Sequence, residues 1–275
     1  MSDYKYLFLD IYDDLIDEIR FLCNSEVRIK ILKSLSKGPK TMRELNDLAL
    51  LSYSSVSNNL AKLERAGFLV KKERKYYLTN LAILNLLNCM DFNNSIHVSN
   101  VYSDFLKTHD ITPLCDDSLR DISSLDGSRL VESVSVDIYK PHNQFKAHIE
   151  SANTLKVIFP YLHPDYPKII KKLLSRDVSI EILVNKDILD AFISQLGLKL
   201  VKDAIYGGKL SLKYLSTNVK LSLAVSNNFV SVGLFKLDGS FDHNRLIMSQ
   251  EKSAISWAED LFENHNKTAL FVKID

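Results

Sequence analysis

The stretch Tyr53-Ser-Ser-Val-Ser-Asn-Asn-Leu-Ala-Lys-Leu-Glu-Arg-Ala-Gly-Phe-Leu69 decides how the first third of this chain folds. Val56, Leu60 and Leu63 recur at helical spacing, and Ala66-Gly67-Phe68 ends the helix. The polar side chains lie away from this apolar stripe; they are Ser54, Ser55, Ser57, Asn58, Asn59 and Lys62. Short hydrogen-bonding groups and one cation suit base edges and phosphates in a major groove. A merely solvated helix face is the alternative.

Three further helices are predicted upstream of this one. Ile11 to Cys23 has a helical apolar period, and a second helix, from Val27, stops at Lys37-Gly38-Pro39. Thr41-Met42-Arg43-Glu44 is a capping box that opens the third helix. Leu51-Ser52-Tyr53 then forms a tight connection, with Ser52 or Ser54 as the cap of the next helix.

A basic hairpin is predicted after the Tyr53–Leu69 stretch. Leu69-Val70 and Tyr76-Tyr77-Leu78 are predicted as two short strands. The basic residues between them are expected to hold the DNA backbone, namely Lys71, Lys72, Arg74 and Lys75, with Lys62 on a phosphate. Arg43 of the third helix is also expected to bind DNA. Residues 26–80 hold twelve basic and five acidic residues, a net charge of +7 in a chain of net charge +1. This asymmetry favours a polyanionic partner such as double-stranded DNA.

Val27 to Thr79 resembles the winged helix-turn-helix of the ArsR/MarR/TrmB-type prokaryotic regulators. The Tyr53–Leu69 stretch and the wing ending in Tyr76-Tyr-Leu-Thr79 carry the resemblance. It implies a DNA-binding domain over residues 1–80. A winged helix that binds protein is the alternative.

Residues 81–127 are predicted as a helical linker or dimerisation region. Leu81 to Met90 and Ile96 to Leu106 indicate two helices, and Asp110 to Leu125 indicates a linker or short helical hinge. From residue 128 to residue 275 strands and helices alternate, which predicts an α/β sandwich with a mixed sheet. The predicted strands are Leu155–Phe159, Val178–Val184, Leu210–Leu215, Leu221–Val225 and Phe229–Phe235, and the predicted helices are Tyr166–Leu174, Asp187–Leu196 and Lys252–Glu263. The overall class is therefore α/β, or α+β across both domains.

From about Asp110 onward the chain resembles the C-terminal domain of the methanogen FilR-type regulators, which are archaeal. The resemblance rests on Phe159-Pro-Tyr-Leu-His-Pro-Asp-Tyr-Pro167, Gly233-Leu-Phe-Lys-Leu-Asp-Gly-Ser-Phe-Asp242 and Ser253-Ala-Ile-Ser-Trp-Ala-Glu-Asp-Leu-Phe262. It implies a transcription regulator with an effector domain.

Catalytic and metal-binding motifs are missing from the sequence. His265-Asn266-Lys267 begins the phospholipase-D pattern, but Val272 stands where its aspartate belongs. No P-loop, Gly-x-Gly-x-x-Gly or His-Glu-x-x-His pattern occurs, and the three cysteines are widely spaced. We therefore expect a non-enzyme with no cofactor and no metal.

An effector pocket is expected after the Leu155–Phe159 strand, because α/β sheets bind ligands beyond the carboxyl ends of strands. Its predicted lining residues are Tyr161, His163, Asp165, Tyr166 and Asp242. The alternative is that prolines shape a turn here, that His163 caps the next helix and that Asp238-Gly239 is a hairpin turn.

Together these observations predict a cytoplasmic, homodimeric, sequence-specific transcription regulator controlled by a small molecule or protein, without a membrane segment. One alternative is a protein-interaction adaptor whose winged helix does not bind DNA. Another is an enzyme acting on phosphodiesters, which would require histidines such as His142, His163 and His243 to converge in one cleft.

Overall fold

A computed structural model of the chain describes residues 16–49 and 52–272. The chain divides between Asn93 and Asn94 into two compact units. The predicted helix segment at 11–15 and the connection residue Leu51 lie outside the described residues.

The N-terminal unit is a small helical domain with a three-stranded sheet. Residues 16–23 are helical (α1). The following elements are α2 (Glu26–Leu35), β1 (Lys40–Thr41), α3 (Met42–Ala49), α4 (Tyr53–Arg65), β2 (Leu69–Lys72), β3 (Lys75–Leu78) and the first part of α5 (Asn80–Val101), a helix that contains the boundary between the units. The strands lie in the order β1-β3-β2 and are antiparallel. This arrangement of helices and hairpin confirms the predicted winged helix-turn-helix.

Local signals in the sequence set the helix ends. The Thr41 backbone N–H donates to Glu44 Oε2 at 2.7 Å and the Glu44 N–H donates to Thr41 Oγ1 at 3.3 Å, which is the reciprocal pattern of a capping box. Ser52 Oγ accepts from the Ser55 N–H at 3.3 Å, so Ser52 caps α4. Gly67, with a φ of +77°, ends α4 in a left-handed conformation.

One apolar core supports this unit. The stripe Val56, Leu60 and Leu63 of α4 is at most 1% exposed. It packs with buried residues from the neighbouring helices and the hairpin, including Ile31, Leu32, Leu35, Leu45, Leu69 and Tyr76. The polar face of α4 is thereby turned outward.

The C-terminal unit is an eight-stranded mixed sheet between helical layers. Its helices are α6 (Ser103–Leu106), α7 (Asp116–Arg120), α8 (Lys140–Glu150), α9 (Tyr166–Ser175), α10 (Leu189–Leu196), α11 (Leu198–Tyr206) and α12 (Lys252–Asn266), and three short 3-10 helices are Thr112–Leu114, Ile122–Leu125 and Lys186–Ile188. Its strands are β4 (Arg129–Glu132), β5 (Thr154–Phe159), β6 (Ser179–Asn185), β7 (Leu210–Leu215), β8 (Leu221–Ser226), β9 (Val230–Leu234), β10 (Arg245–Ser249) and β11 (Leu270–Phe271). The strand order is β11-β7-β6-β5-β8-β9-β10-β4.

The sheet is parallel across β5, β6 and β7 and antiparallel elsewhere. Its two faces bury different cores because successive strand residues point to opposite sides. Val157 belongs to one core, with Phe145, Ile170 and Phe192, whereas Ile158 belongs to the other core. These findings confirm the predicted α/β class and the mixed sheet.

Three details differ from the sequence-based expectations. The two helices predicted between Leu81 and Leu106 are a continuous α5 followed by the short α6. The segment Asp110 to Leu125 forms helical turns whose Leu114 and Leu125 are buried in the second core, so it is part of the C-terminal unit and not a linker. Six elements were not predicted, namely β1, β4, β10, β11, α8 and α11.

Candidate nucleic-acid interface and histidine-lined cavity

The outer face of α4 carries the predicted base contacts. Ser54, Ser57, Asn58 and Lys62 are exposed, whereas Ser55 and Asn59 are half-buried. Consecutive members of the exposed four lie about one helical turn or less apart on the surface of α4, where they are accessible to a ligand; the Ser54 hydroxyl is also 3.3 Å from Ser52 Oγ.

Asn59 has a different role from its neighbours. Its Nδ2 donates to the Ser55 carbonyl at 2.9 Å, and its Oδ1 accepts from Arg28 Nη1 at 3.5 Å. Arg28 also donates from Nε to the Phe21 carbonyl and lies 4.4 Å from the Phe21 ring centroid. Burial lowers the pKa of this guanidinium. Asn59 and Arg28 therefore link α4 to α2, a contact that the sequence analysis did not foresee.

The two strands of the wing are longer than predicted. Glu73 and Arg74, both with positive φ, form a two-residue turn, and the strands continue to Lys72 and Lys75. Lys72 and Lys75 are register partners, so two like charges lie directly opposite each other on one face. Lys71 points to the other face, where its Nζ is 5.4 Å from the Tyr76 ring centroid.

Cations continue from the wing toward α3. Arg43 is exposed in the first turn of α3. Hydrogen bonds from Thr41, followed by the charges of Lys75 and Lys40, lower the pKa of the Glu44 carboxyl. A basic surface therefore adjoins the polar face of α4 within this unit.

The C-terminal unit contains a cavity of about 400 Å³ at the carboxyl end of β5. The loop after β5, helix α8 and the segment before β10 build it. Its lining is mainly aromatic and imidazole side chains with few aliphatic ones; the lining residues are Ile138, Tyr139, His142, Phe145, Tyr161, His163, Asp165, Tyr166, Ser222, Phe241, His243, Asn244 and Leu246. Four of the five predicted pocket residues line it.

Three histidines converge on this cavity. The rings of His142 and His163 have centroids 4.2 Å apart, and the ring of His243 lies 5.3 Å from that of Tyr161. A phosphodiester enzyme would require such a convergence, so this alternative remains open. Sequence reasoning missed His142 as a pocket residue because α8 has a weak apolar pattern and lies outside the loop that drew attention.

Two tyrosines form the inner wall. Tyr166 Oη donates to Tyr161 Oη at 3.1 Å. Burial raises the pKa of Tyr161 to about 12 and raises that of Tyr166 well above the ordinary range. Both phenols are therefore protonated at neutral pH, and the proton of Tyr161 remains available to a ligand.

A second network holds the mouth of the cavity. His142 Nε2 donates to Asp165 Oδ2 at 3.1 Å, and Lys146 Nζ lies 3.7 Å from the same oxygen. The hydrogen bond from His142 is the largest cause of a lowered pKa at Asp165. His163 Nδ1 accepts from the Asp165 backbone N–H at 3.1 Å, and burial lowers the pKa of His163. Asp165 is thus a carboxylate, and His163 is a neutral imidazole at neutral pH.

The fifth predicted pocket residue, Asp242, does not line the cavity. It is 2% exposed, and its Oδ2 accepts from His109 Nε2 at 3.1 Å and from Arg245 Nε at 2.7 Å. Its Oδ1 accepts from the Asn244 backbone N–H at 3.0 Å. Asp242 therefore stabilises the loop that presents His243. Asp238 accepts from Ser240 in an exposed turn, as the alternative reading expected.

Known regulatory proteins are similar to both the N-terminal and the C-terminal region of the chain. Residues 16–93 match the N-terminal domain of the methanogenesis regulatory protein FilR1, and residues 138–268 match its middle domain. Both regions of the chain thus match domains of one family, the FilR1 regulatory proteins. A FilR1 of Methanothrix harundinacea (strain 6Ac) is 20% identical over 253 residues, which are 91% of this chain and 57% of that relative. The chain thus spans little more than half the length of that FilR1.

Two solved structures are similar at low TM-score. TrmBL2, described as an archaeal chromatin protein with a novel mode of DNA binding, has a TM-score of 0.43 and 18% identity, covering 93% of this chain and 99% of its own. An O-methyltransferase family protein from Burkholderia thailandensis has a TM-score of 0.23 and 9% identity, covering 72% and 63%. At these TM-scores neither similarity supports an inference about this chain.

Helix α4 and the wing lie inside the region that matches the FilR1 N-terminal domain, and all of the cavity-lining residues lie inside the region that matches the middle domain. The middle-domain match begins at Ile138 and so includes His142, which the sequence motifs had left out. Across residues 16–49 and 52–272, no helix combines the length and the apolar character that crossing a bilayer requires.

Proposed function

We propose that the chain is a sequence-specific, DNA-binding transcription regulator. The observation that carries the proposal is the exposed polar face of α4 beside a basic wing on a winged-helix core. Ser54, Ser57 and Asn58 are short enough to reach base edges, and Lys62 is placed for a phosphate. The family's regulatory name is consistent with this role.

Regulation is proposed to act through the cavity of the C-terminal unit. Its walls are aromatic, and a few polar groups converge in it, which is the usual composition of a small-molecule site. A small molecule or a protein partner would change operator affinity if it bound more tightly to one of two conformations of the chain, one with high and one with low affinity for DNA.

A homodimer is proposed because winged helix-turn-helix proteins commonly read two half-sites related by symmetry. Helix α5 offers a surface for it, since Leu84, Leu87 and Phe92 are each more than half exposed. Apolar residues exposed along a helix are typical of protein contacts.

The alternatives have their own signatures. An adaptor would keep its function after the wing cations are removed, because it makes no phosphate contacts. An enzyme on phosphodiesters is favoured by one observation, the convergence of His142, His163 and His243. A phosphodiesterase would release product from a bis-nitrophenyl phosphate substrate, and a His163→Ala variant would stop that release.

The test is selection of binding sites from a randomised duplex library. The expected result is one enriched motif for the purified wild-type chain. Asn58→Ala should lower the preference for that motif over scrambled DNA by about tenfold, the magnitude of one lost base contact. Asn153→Ala, the same change at an exposed position of the C-terminal unit, should leave the preference unchanged. Failure to enrich any motif would contradict the proposal.

A further inference from the structure

We propose that His142, His163 and Asp165 form a binding site for one divalent transition-metal ion of the zinc class. Each of the three offers one ligand atom, and these atoms lie within 4.8 Å of one another. All three side chains are half-buried and line the cavity. The expectation that no metal binds came from sequence spacing, which could not show that α8 brings His142 to the loop after β5.

The donor set favours zinc-like ions over magnesium or calcium. Two imidazole nitrogens and one carboxylate oxygen are ligands that borderline metals prefer, whereas hard cations prefer oxygen alone. Three protein ligands leave a fourth position open, and here that position would face a cavity of about 400 Å³. A water molecule or an oxygen of a small ligand could fill it.

The hydrogen bond between His142 and Asp165 already holds two of the proposed ligand atoms at a separation suited to a metal ion. His142 Nε2 and Asp165 Oδ2 are 3.1 Å apart, a separation that two ligands of one tetrahedral ion also have. Metal binding at His142 Nε2 would require the neutral imidazole to carry its proton on Nδ1 instead, and the hydrogen bond to Asp165 would be replaced by two bonds to the ion. His163 would give up the hydrogen bond that its Nδ1 accepts from the Asp165 backbone.

One neighbouring cation opposes the ion. Lys146 Nζ is 3.7 Å from Asp165 Oδ2, but its side chain is 41% exposed and can turn toward solvent. A metal ion must displace this ammonium group, so Lys146 lowers metal affinity. An anionic ligand, in contrast, would be attracted by Lys146. The sign of the Lys146 effect therefore distinguishes a metal site from an anion site.

The test is a titration of the full-length chain with Zn²⁺ after removal of metal by a chelator, with Co²⁺ as a spectroscopic substitute. We expect one ion per chain by calorimetry and visible Co²⁺ absorption bands typical of four-coordinate nitrogen and oxygen ligands. His142→Ala, His163→Ala and Asp165→Asn should each weaken binding by about 100-fold or more, since each removes a direct ligand. His97→Ala, at an exposed histidine of the same unit, should leave binding unchanged.

Lys146→Met completes the design. It should tighten Zn²⁺ binding severalfold, because it removes the competing charge. Metal-free circular dichroism and thermal melting of each variant would show whether the fold is kept, and the Lys146→Met result stands even if a ligand variant is unstable. Binding absent in the wild type, equal in Asp165→Asn, or weakened by Lys146→Met would overturn the proposal. These readouts do not involve DNA, so they are independent of the proposed function.

Discussion

Removal of the wing cations should change how DNA affinity depends on salt. Each phosphate neutralised by a cation contributes about 0.9 to the slope of log affinity against log salt, because counterions are released. Lys72 and Lys75 share the outward face of the hairpin, and Arg74 lies at its tip, whereas Lys71 lies against Tyr76. We therefore assign three phosphate contacts to a wing.

The expected magnitude follows from these three contacts. A variant with alanine at all four wing cations should lose about 2.7 from the slope for each wing on the DNA. Between 50 and 200 mM salt, that loss corresponds to about a 40-fold smaller fall in affinity. Two wings on one operator would double the change in slope, so the same titration also reports stoichiometry.

The assay is fluorescence anisotropy with a selected duplex at several salt concentrations. The control replaces Lys168, Lys171, Lys186 and Lys199, four exposed lysines of the C-terminal unit, and so removes the same charge elsewhere. Equal slopes in the wing variant and this control would refute the assignment of phosphate contacts to the wing. Circular dichroism of the wing variant would show that its fold is kept, and we expect it to be kept because removal of the opposed Lys72 and Lys75 relieves repulsion.

Three further results are expected. Asp242→Asn should lower the free energy of unfolding of the C-terminal unit by about 3 to 5 kcal/mol in a urea titration, because it removes a charge from a buried ion-pair network. Burial raises the pKa of Asp242, but the hydrogen bonds and charges of its partners outweigh burial and lower it. The stability that the Asp242 carboxylate contributes is therefore present at neutral pH and should be lost as the pH falls below the ordinary aspartate range. A free energy of unfolding that does not change in this acidic range would contradict the prediction. Burial and the neighbouring Cys23 raise the pKa of Cys89, so mass spectrometry should show slow alkylation of Cys89 at pH 8 and faster alkylation as the pH rises. Leu84→Glu combined with Leu87→Glu should yield monomers in light scattering, whereas an unchanged mass would exclude this face of α5 from the dimer contact.

The sequence predicted the winged helix well because each of its elements has a local signal. The capping box at Thr41, the stripe from Val56 to Leu63 and the exit at Gly67 are determined by residues within one or two helical turns. The hairpin length was less certain, since Lys71 and Lys72 do not alternate in polarity and so did not indicate a strand. Backbone pairing with β3 extends the strand through them.

The cavity was predicted only in part. The loop after β5 was visible because Tyr161, His163 and Asp165 are close in sequence and follow a clear strand. His142 is brought to them by tertiary packing of Phe145 and Ile149 on the sheet, which no local pattern in α8 reveals. Asp242 was predicted to line the cavity and does not. Its carboxylate is hydrogen-bonded to His109, more than 130 residues away in sequence, and no local pattern shows such a contact.

If an ion at His142, His163 and Asp165 controls DNA binding, the control must be reciprocal. An ion that raises operator affinity by some factor requires that the operator raise metal affinity by the same factor, and such factors are typically about 5 to 150. Calorimetric titration of Zn²⁺ with and without a saturating duplex measures one side, and anisotropy with and without Zn²⁺ measures the other. Equal factors that vanish together in Asp165→Asn would assign regulation to this site. A metal effect on DNA affinity without the matching effect of DNA on metal affinity would mean that the ion acts elsewhere, on the duplex or on another part of the protein.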